Sequence, residues 1–146
     1  MTTFVPPYTV TVTSTATGLA ACTYTDAEGQ QVPRGAPLTT KTASGDDGSL
    51  AIQFTETMLS GVELRLVGAT VKTIGHDPRL SSHNNLFAER AQQGDGSYLD
   101  TVTVPWAPDA YTTRGVVLLF AQVDANGNML NFVPSTDPEV QNGPDT

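Results

Sequence analysis

The chain has 146 residues, and its 15 acidic side chains outweigh its seven Lys and Arg to give a formal net charge of -8. This length predicts one domain that buries a core without disulfides or metal ions. The acidic balance argues against a nucleic-acid partner, because neutralising a phosphate backbone needs clusters of Lys and Arg. Abundant Thr, with 13 Gly and 10 Pro, favours short strands joined by many turns.

The expected compartment follows from what the chain lacks. Residues 1–7 contain neither the basic nor the apolar segment of a secretory signal peptide. No apolar run is long enough to span a membrane, so no membrane partner is expected. Cys22 is the only cysteine, which excludes an intramolecular disulfide and leaves this residue as a small buried hydrophobe. We therefore expect a cytoplasmic bacterial protein, or a virion component if the gene belongs to a phage.

Most of the chain reads as short strands of alternating polarity. Tyr8–Ser14 alternates cleanly, which places Val10 and Val12 in the core and the threonines outward. Gly68 interrupts the alternation of a later strand and predicts a bulge there. The further predicted strands are Leu19–Thr25, a short edge strand at Leu38–Thr42, the run through Leu50, Ile52 and Phe54, Val62–Val71, and Tyr98–Val104.

A hairpin near the carboxyl end is the predicted centre of the fold. Residues 115–123 form an almost unbroken apolar run, which is typical of a strand covered on both faces. Asn126 and Gly127 both tolerate positive φ, so they predict a tight turn. Residues 128–133 then return antiparallel to the first run.

These elements predict an all-β fold. Seven to nine short strands are typical of an antiparallel β-sandwich, jelly-roll or Ig-like, with a barrel as the alternative. One domain is expected over residues 1–146, with an amino-terminal arm (1–7) and a carboxyl-terminal tail (141–146).

The segment from residue 75 to residue 96 has a different composition, rich in His, Asn, Gln and Arg. Ser81 and Ser82 are suited to cap a short helix near residues 82–93, with Leu86, Phe87 and Arg90 at helical spacing. The alternative is a long loop, which in a compact domain usually serves binding or assembly.

No pattern of catalytic residues is present. The chain has no serine nucleophile motif and no glycine-rich phosphate loop, and its glutamates, such as Glu56 and Glu63, are scattered. The sequence therefore predicts a protein that is not an enzyme and has no cofactor.

Two segments are rich in the oxygen or nitrogen atoms that bind metal ions. Asp124, Asn126 and Asn128 have the alternate spacing of a calcium loop, but Gly127 lies between the second and third ligands rather than after the third. His76, Asp77 and His83 do not follow a known ligand spacing. An ordinary hairpin turn and a polar surface loop are the better interpretations, so no metal is expected.

One group of side chains suits a ligand instead. Trp106 and Tyr111 are suited to form an aromatic platform for a sugar, near His76 and His83 of the preceding segment. The competing interpretation for Trp106 is a buried plug, because tryptophan usually buries its ring.

The order of features around the hairpin resembles a known family. Val117–Val123, the turn at Asp124, Phe132 and Asp137-Pro138 follow one another as a strand, an Asp-x-x-Gly turn, an aromatic strand and a closing Asp-Pro. This order, with a Ser-Gly and Leu-x-Ile pattern in residues 43–52, resembles bacterial inclusion-body proteins of the PixA/AidA type. The family's tryptophans are replaced, by Thr136 and Leu64. The resemblance implies a cytoplasmic, non-enzymatic, self-associating β-sandwich and no catalytic residues.

Three functions remain open from the sequence. The first is a structural protein that assembles with itself as a homo-oligomer or larger assembly, of the inclusion-body type. The second is a phage virion component such as a capsid decoration protein. The third is a binding module for carbohydrate or another ligand, built on Trp106, Tyr111 and residues 75–96.

Overall fold

The computed structural model describes residues 4–33, 36, 38–39, 49–74, 83–104, 113–136 and 139–141, and all regular structure in these ranges is β. Thirteen strands form two sheets. Sheet 1 has the order β3-β2-β1-β5-β10-β9. Its strands are β1 (Tyr8–Ser14), β2 (Ala21–Thr25), β3 (Gln31–Val32), β5 (Leu50–Thr55), β9 (Glu89–Gln92) and β10 (Tyr98–Val104).

Sheet 2 has the order β4-β13-β11-β7-β6, with β12 also paired to β11 and β8 also paired to β7. Its strands are β4 (Leu38–Thr39), β6 (Thr57–Leu59), β7 (Val62–Ile74), β8 (His83–Phe87), β11 (Thr113–Val123), β12 (Met129–Pro134) and β13 (Glu139–Gln141). Neither sheet closes on itself in the described part of the chain, which rules out the barrel alternative there.

The two sheets bury one apolar core between them, so the predicted β-sandwich is confirmed. Phe54 of sheet 1 meets Phe120 of sheet 2 edge to face, with ring centroids 5.1 Å apart. The predicted alternation holds, since Val10, Val12, Leu50 and similar residues are buried. Most strand pairs are antiparallel, but β1 pairs with β5, and β4 with β13, in parallel.

The predicted central hairpin is also confirmed. β11 pairs with β7 along its whole length, and β12 returns antiparallel on its other side. The bulge lies where Gly68 predicted it: Leu119 is opposite Gly68 and Phe120 is opposite Leu66, so Val67 is the extra residue. An added side chain at Gly68 would collide with the carbonyl oxygen of Leu86, which explains the glycine.

The predicted short helix near residues 82–93 is wrong. This segment forms β8, which pairs with β7, and then β9, which pairs with β10 in the other sheet. Ala88 is the residue where the chain changes sheets, and its N–H donates to the carbonyl of Val67 at 3.0 Å. The open edges of β7 and β10 satisfy the backbone of both segments, which outweighs a local preference for helix.

Two hairpin turns share one sequence pattern and one geometry. Asp26 and Asp124 each precede Ala-x-Gly, and each accepts backbone N–H groups two and four residues later at 2.8 to 3.0 Å. Asp26 is buried and also accepts the N–H of Val5 at 3.1 Å, while Ala27 donates to the Val5 carbonyl at 2.8 Å. The described part of the amino-terminal arm is therefore held against the chain's own turn.

Candidate functional site

Most of the residues predicted as a ligand site lie outside the part of the chain that the structure describes, so that prediction stays a prediction. Trp106, Tyr111 and His76 lie outside the described residues. His83 begins β8, where its backbone pairs with that of Lys72.

The oxygen-rich turn at Asp124 is an ordinary hairpin turn in its contacts. The Asp124 carboxylate accepts N–H groups of Asn126 and Asn128, and these bonds hold its pKa below the ordinary value. Across the described ranges, no group of three or more His, Cys, Asp or Glu side chains is arranged to hold a metal ion.

The register of sheet 2 fixes which side chains share its outer face. Opposed residues of neighbouring antiparallel strands lie on the same face. Leu118 and Phe120 of β11 belong to the core, so Leu119 and its alternates face outward. Three outer rows follow: Phe87, Gly68 and Leu119; then Arg65, Ala121 and Phe132; then Met58, Glu63, Val123 and Met129.

We call these three rows the apolar face. Phe87 is 90 % exposed, Met58 63 %, Phe132 59 % and Met129 53 %. These are four of the six large exposed apolar side chains in the described ranges. Scattered single apolar residues are normal on protein surfaces, but a contiguous cluster marks an interaction site.

A groove of about 560 Å³ crosses the apolar face. Gly68 and Leu119 lie beneath it, and Phe87, Met129 and Phe132 flank it. Gly68 lines the groove, and the Leu86 carbonyl oxygen fills the space that a side chain at this position would need. Its other end reaches a polar cluster at the gap that β6 and β8 leave along β7.

The polar cluster is centred on Glu56, the residue at which the chain passes from β5 in sheet 1 to β6 in sheet 2. Its side chain is only 3 % exposed. Arg90 donates two hydrogen bonds of 2.8 Å to its carboxylate, and the Nε of Arg65 lies 3.4 Å from its Oε1. The guanidinium of Arg90 also stacks on Tyr98, 3.6 Å from the ring centroid. Burial of this carboxylate is therefore offset by two cations.

Asp100 joins the same cluster from β10. It occupies an inward position and is almost fully buried. Its Oδ2 accepts the N–H of Leu66 at 3.0 Å. Leu66 adjoins the bulge, at the gap between β6 and β8. One carboxyl thus ties sheet 1 to the irregular part of β7.

The two carboxyls of the cluster share a hydrogen bond, so one of them must carry the proton. Burial and the neighbouring Glu56 carboxylate raise the pKa of Asp100 to about 7. Burial opposes ionisation of Glu56 too, but its hydrogen bonds with Arg90 and Asp100 and the two guanidinium charges hold its pKa below the ordinary value. As pH falls below about 7, the pair comes to carry one shared proton at the Asp100 end.

Some hydrolases use a protonated carboxyl and an ionised carboxyl, placed side by side, as their catalytic acid and base. Such enzymes expose both groups to substrate, whereas here both side chains are almost completely buried. The cluster is therefore placed to connect the two sheets at one end of the groove. Cys22 is equally poorly placed for chemistry, because burial raises the pKa of its thiol to about 12.

Sequence reasoning missed both the cluster and the apolar face. Asp100 gave a signal, since it falls on the inward side of a strand with Val102 and Val104. Phe132 gave another signal. It is a large apolar residue next to Val133, and when Val133 faces the core, alternation places Phe132 on the outer face. Which glutamate and arginines surround Asp100 depends on the pairing of distant strands.

Comparisons of the chain with protein-family models, with curated proteins and with solved structures return no match. In the described part of the chain, no helix has the length and apolar character needed to cross a bilayer.

Proposed function

We propose that this is a non-enzymatic structural protein that associates with itself, and that the apolar face of sheet 2 is its contact with a second copy. The observation that carries the proposal is the exposure of Phe87, Phe132, Met129 and Met58 on one sheet face. Leaving such a cluster in water is costly, at about 25 cal/mol for each Å² of apolar surface.

The composition of β11 supports a covered outer face. Its apolar run has no polar alternation, as in strands buried on both faces. One face of β11 packs in the core through Val116, Leu118 and Phe120. Ala121 and Val123 on the other face are already buried. A second copy laid on this face would complete the cover.

Charge supports a second copy as the occupant. Two molecules of net charge -8 repel one another unless they meet where charge is balanced. On the apolar face, the charged residues in the three rows are Arg65 and Glu63, which bind each other at 3.3 Å. The face is thus locally neutral on an acidic molecule.

Two biological settings suit such a protein. One is an inclusion-body-type assembly in a bacterial cytoplasm, in line with the resemblance described above. The other is a phage virion, as a capsid decoration protein. Sedimentation of a host lysate separates them, because dense bodies and capsids differ in buoyant density.

The direct test is multi-angle light scattering at increasing protein concentration. Wild-type protein is expected to exceed the monomer mass of 15.4 kDa, and Phe87→Ser is expected to lower the measured mass. Phe87 is almost fully exposed, so this change leaves the core intact. Thr11→Ser on the other sheet is the matched control. A wild-type protein that stays monomeric at millimolar concentration would reject the proposal.

The same samples identify a different occupant. If wild-type protein is monomeric but binds an apolar dye, and Phe87→Ser abolishes that binding, the groove belongs to a small apolar ligand. That result would favour the ligand-binding module over self-association.

A further inference from the structure

The edge strands of the two sheets differ in how they are protected. An unpaired strand edge recruits other strands unless it is short, charged or interrupted by proline. β3 and β4 have two residues each and β6 has three, while β9 carries Glu89 and Arg90. β8 is polar at Asn84 and Asn85, and it ends where the chain turns into sheet 1 at Ala88.

β12 is neither short nor charged, and its one proline, Pro134, is its last residue, so residues 129–133 are not interrupted. It is six residues long and uncharged, and residues 129–132 are all exposed. It pairs with β11 on one side. On its other side, the contact found among the described residues is the isolated bridge between Ala20 and Ser135, just beyond the end of β12. Residues 129–133 therefore form an apolar edge with no neighbouring strand in the described structure.

The backbone directions along β12 show which groups face this open edge. Ser135 N–H donates to the Leu118 carbonyl of β11 at 2.8 Å, whereas the Pro134 carbonyl turns away and accepts the N–H of Ala20 at 2.8 Å. Directions alternate along a strand. The N–H and carbonyl of Phe132 therefore point toward the open edge.

We propose that β12 pairs antiparallel with β12 of a second copy, as a second self-contact distinct from the apolar face. Antiparallel pairing of one strand with itself has two-fold symmetry, so the same residues serve both copies. An uncharged strand is also the edge at which two strongly acidic molecules meet without local repulsion.

The consequence is the size of the assembly, and here the inference rests on the proposed function. A single two-fold contact stops at a dimer. Two independent two-fold contacts on one chain, the apolar face and the β12 edge, build a tetramer or an open-ended array. The second contact thus explains how a small sandwich forms a large structural assembly.

The first arm of the test measures assembly size by light scattering. Leu130→Lys places a charge on the exposed edge while leaving Phe87 and the core unchanged. The expected result is a dimer held by the apolar face. Phe87→Ser is expected to give a dimer held by the edge, and the double variant a monomer. Ala91→Lys, on the edge strand β9, is the matched control and keeps the wild-type mass.

The second arm traps the contact in the assembled protein. In a Cys22→Ala background, Asn131→Cys places a thiol in the middle of β12, and Ala91→Cys places one on β9. In the register that sets Phe132 opposite Leu130 of the second copy, Asn131 lies opposite itself, and opposed residues of an antiparallel pair are roughly 5 Å apart, within disulfide reach. Mild oxidation is expected to join Asn131→Cys chains into covalent dimers and to leave Ala91→Cys chains separate.

The outcomes separate the two proposals. If Leu130→Lys keeps the wild-type mass and Asn131→Cys does not cross-link, the edge contact is rejected while the apolar face stands. If Phe87→Ser changes nothing but the edge variants behave as expected, the apolar face is rejected and the edge contact stands.

Discussion

The two outer faces of this sandwich have the same geometry and opposite chemistry. On sheet 1, cross-strand rows join Thr25, Thr9, Gln53 and Thr101, and Thr11 lies opposite Thr23. On sheet 2, the equivalent positions hold phenylalanine, methionine and small residues. Threonine has high strand propensity and a hydroxyl that water satisfies, so the first face is complete as a surface. The second face leaves large apolar side chains exposed to water.

The difference shows that strand formation alone does not require an apolar outer face. β1 is as regular as β11 and uses threonine at every outward position from Thr9 to Thr13. Phe87, Phe132 and Met129 therefore add nothing that the sheet needs in order to fold. The association proposed above would explain why they lie together on one face.

The largest expected effect comes from making the second face resemble the first. Phe87→Ser with Phe132→Ser removes two side chains, each contributing about 1.5–3 kcal/mol when buried at a contact. Each loss weakens association roughly 10- to 100-fold. Sedimentation equilibrium is expected to show loss of the contact through the apolar face, which leaves only the dimer held by the β12 edge.

Thr11→Ser with Thr103→Ser is the matched change on sheet 1, and it keeps the wild-type association. Equal weakening by both double variants would show that the faces do not differ in function.

The next effect concerns the cluster that joins the sheets at the end of the groove. The folded pKa of Asp100 is raised to about 7, above an unfolded value of about 3.9. The folded protein then binds one more proton than the unfolded chain between these values, so stability falls as pH rises from about 4 to about 7, by roughly 3 kcal/mol. Glu56 has a lowered pKa, so its own contribution is lost only in acid, as pH falls through its folded value.

Asp100→Asn tests this directly, because asparagine imitates the protonated acid. Its carbonyl accepts the Leu66 N–H and its amide donates to Glu56. Urea unfolding at several pH values is expected to show no loss of stability from this site between about pH 4 and 7. Asp95→Asn, on an exposed turn, is expected to keep the wild-type dependence. If the free energy of unfolding of Asp100→Asn depends on pH as that of the wild type does, Asp100 does not hold the shared proton.

A smaller effect is expected at the base of the groove. Gly68→Ala forces a methyl group against the Leu86 carbonyl of the neighbouring strand, and such overpacking costs roughly 2 kcal/mol. Gly94→Ala has open space around it and is expected to be neutral or slightly stabilising. Thermal unfolding compares the two. Equal melting temperatures would mean that β8 does not lie as closely on β7 as described.

The sequence predicted what depends on local alternation. Val10 and Val12, or Leu50 and Ile52, face the core as expected, and Gly68 marks the bulge. The helix near residues 82–93 failed because local spacing cannot reveal that β7 and β10 offer open edges on both sides of Ala88. The apolar run of β11, which lacks alternating polar residues, predicted a strand that is covered on both faces.

What local pattern does not contain is the partner of each side chain. Glu56, Arg65 and Arg90 gather near Asp100 only because three strands from both sheets and the β5–β6 junction converge at one end of the groove. The apolar face likewise assembles Phe87 and Phe132 from strands far apart in the chain, through their register with β7 and β11.

Hydrogen–deuterium exchange at low and high protein concentration tests the central claim most directly, because association protects the surface it covers. Residues 83–88 and 129–133 are expected to exchange more slowly as concentration rises, while residues 9–13 and 101–103 exchange at a constant rate. Concentration-independent exchange at both surfaces, or protection confined to the threonine face, would contradict a sandwich that associates through sheet 2.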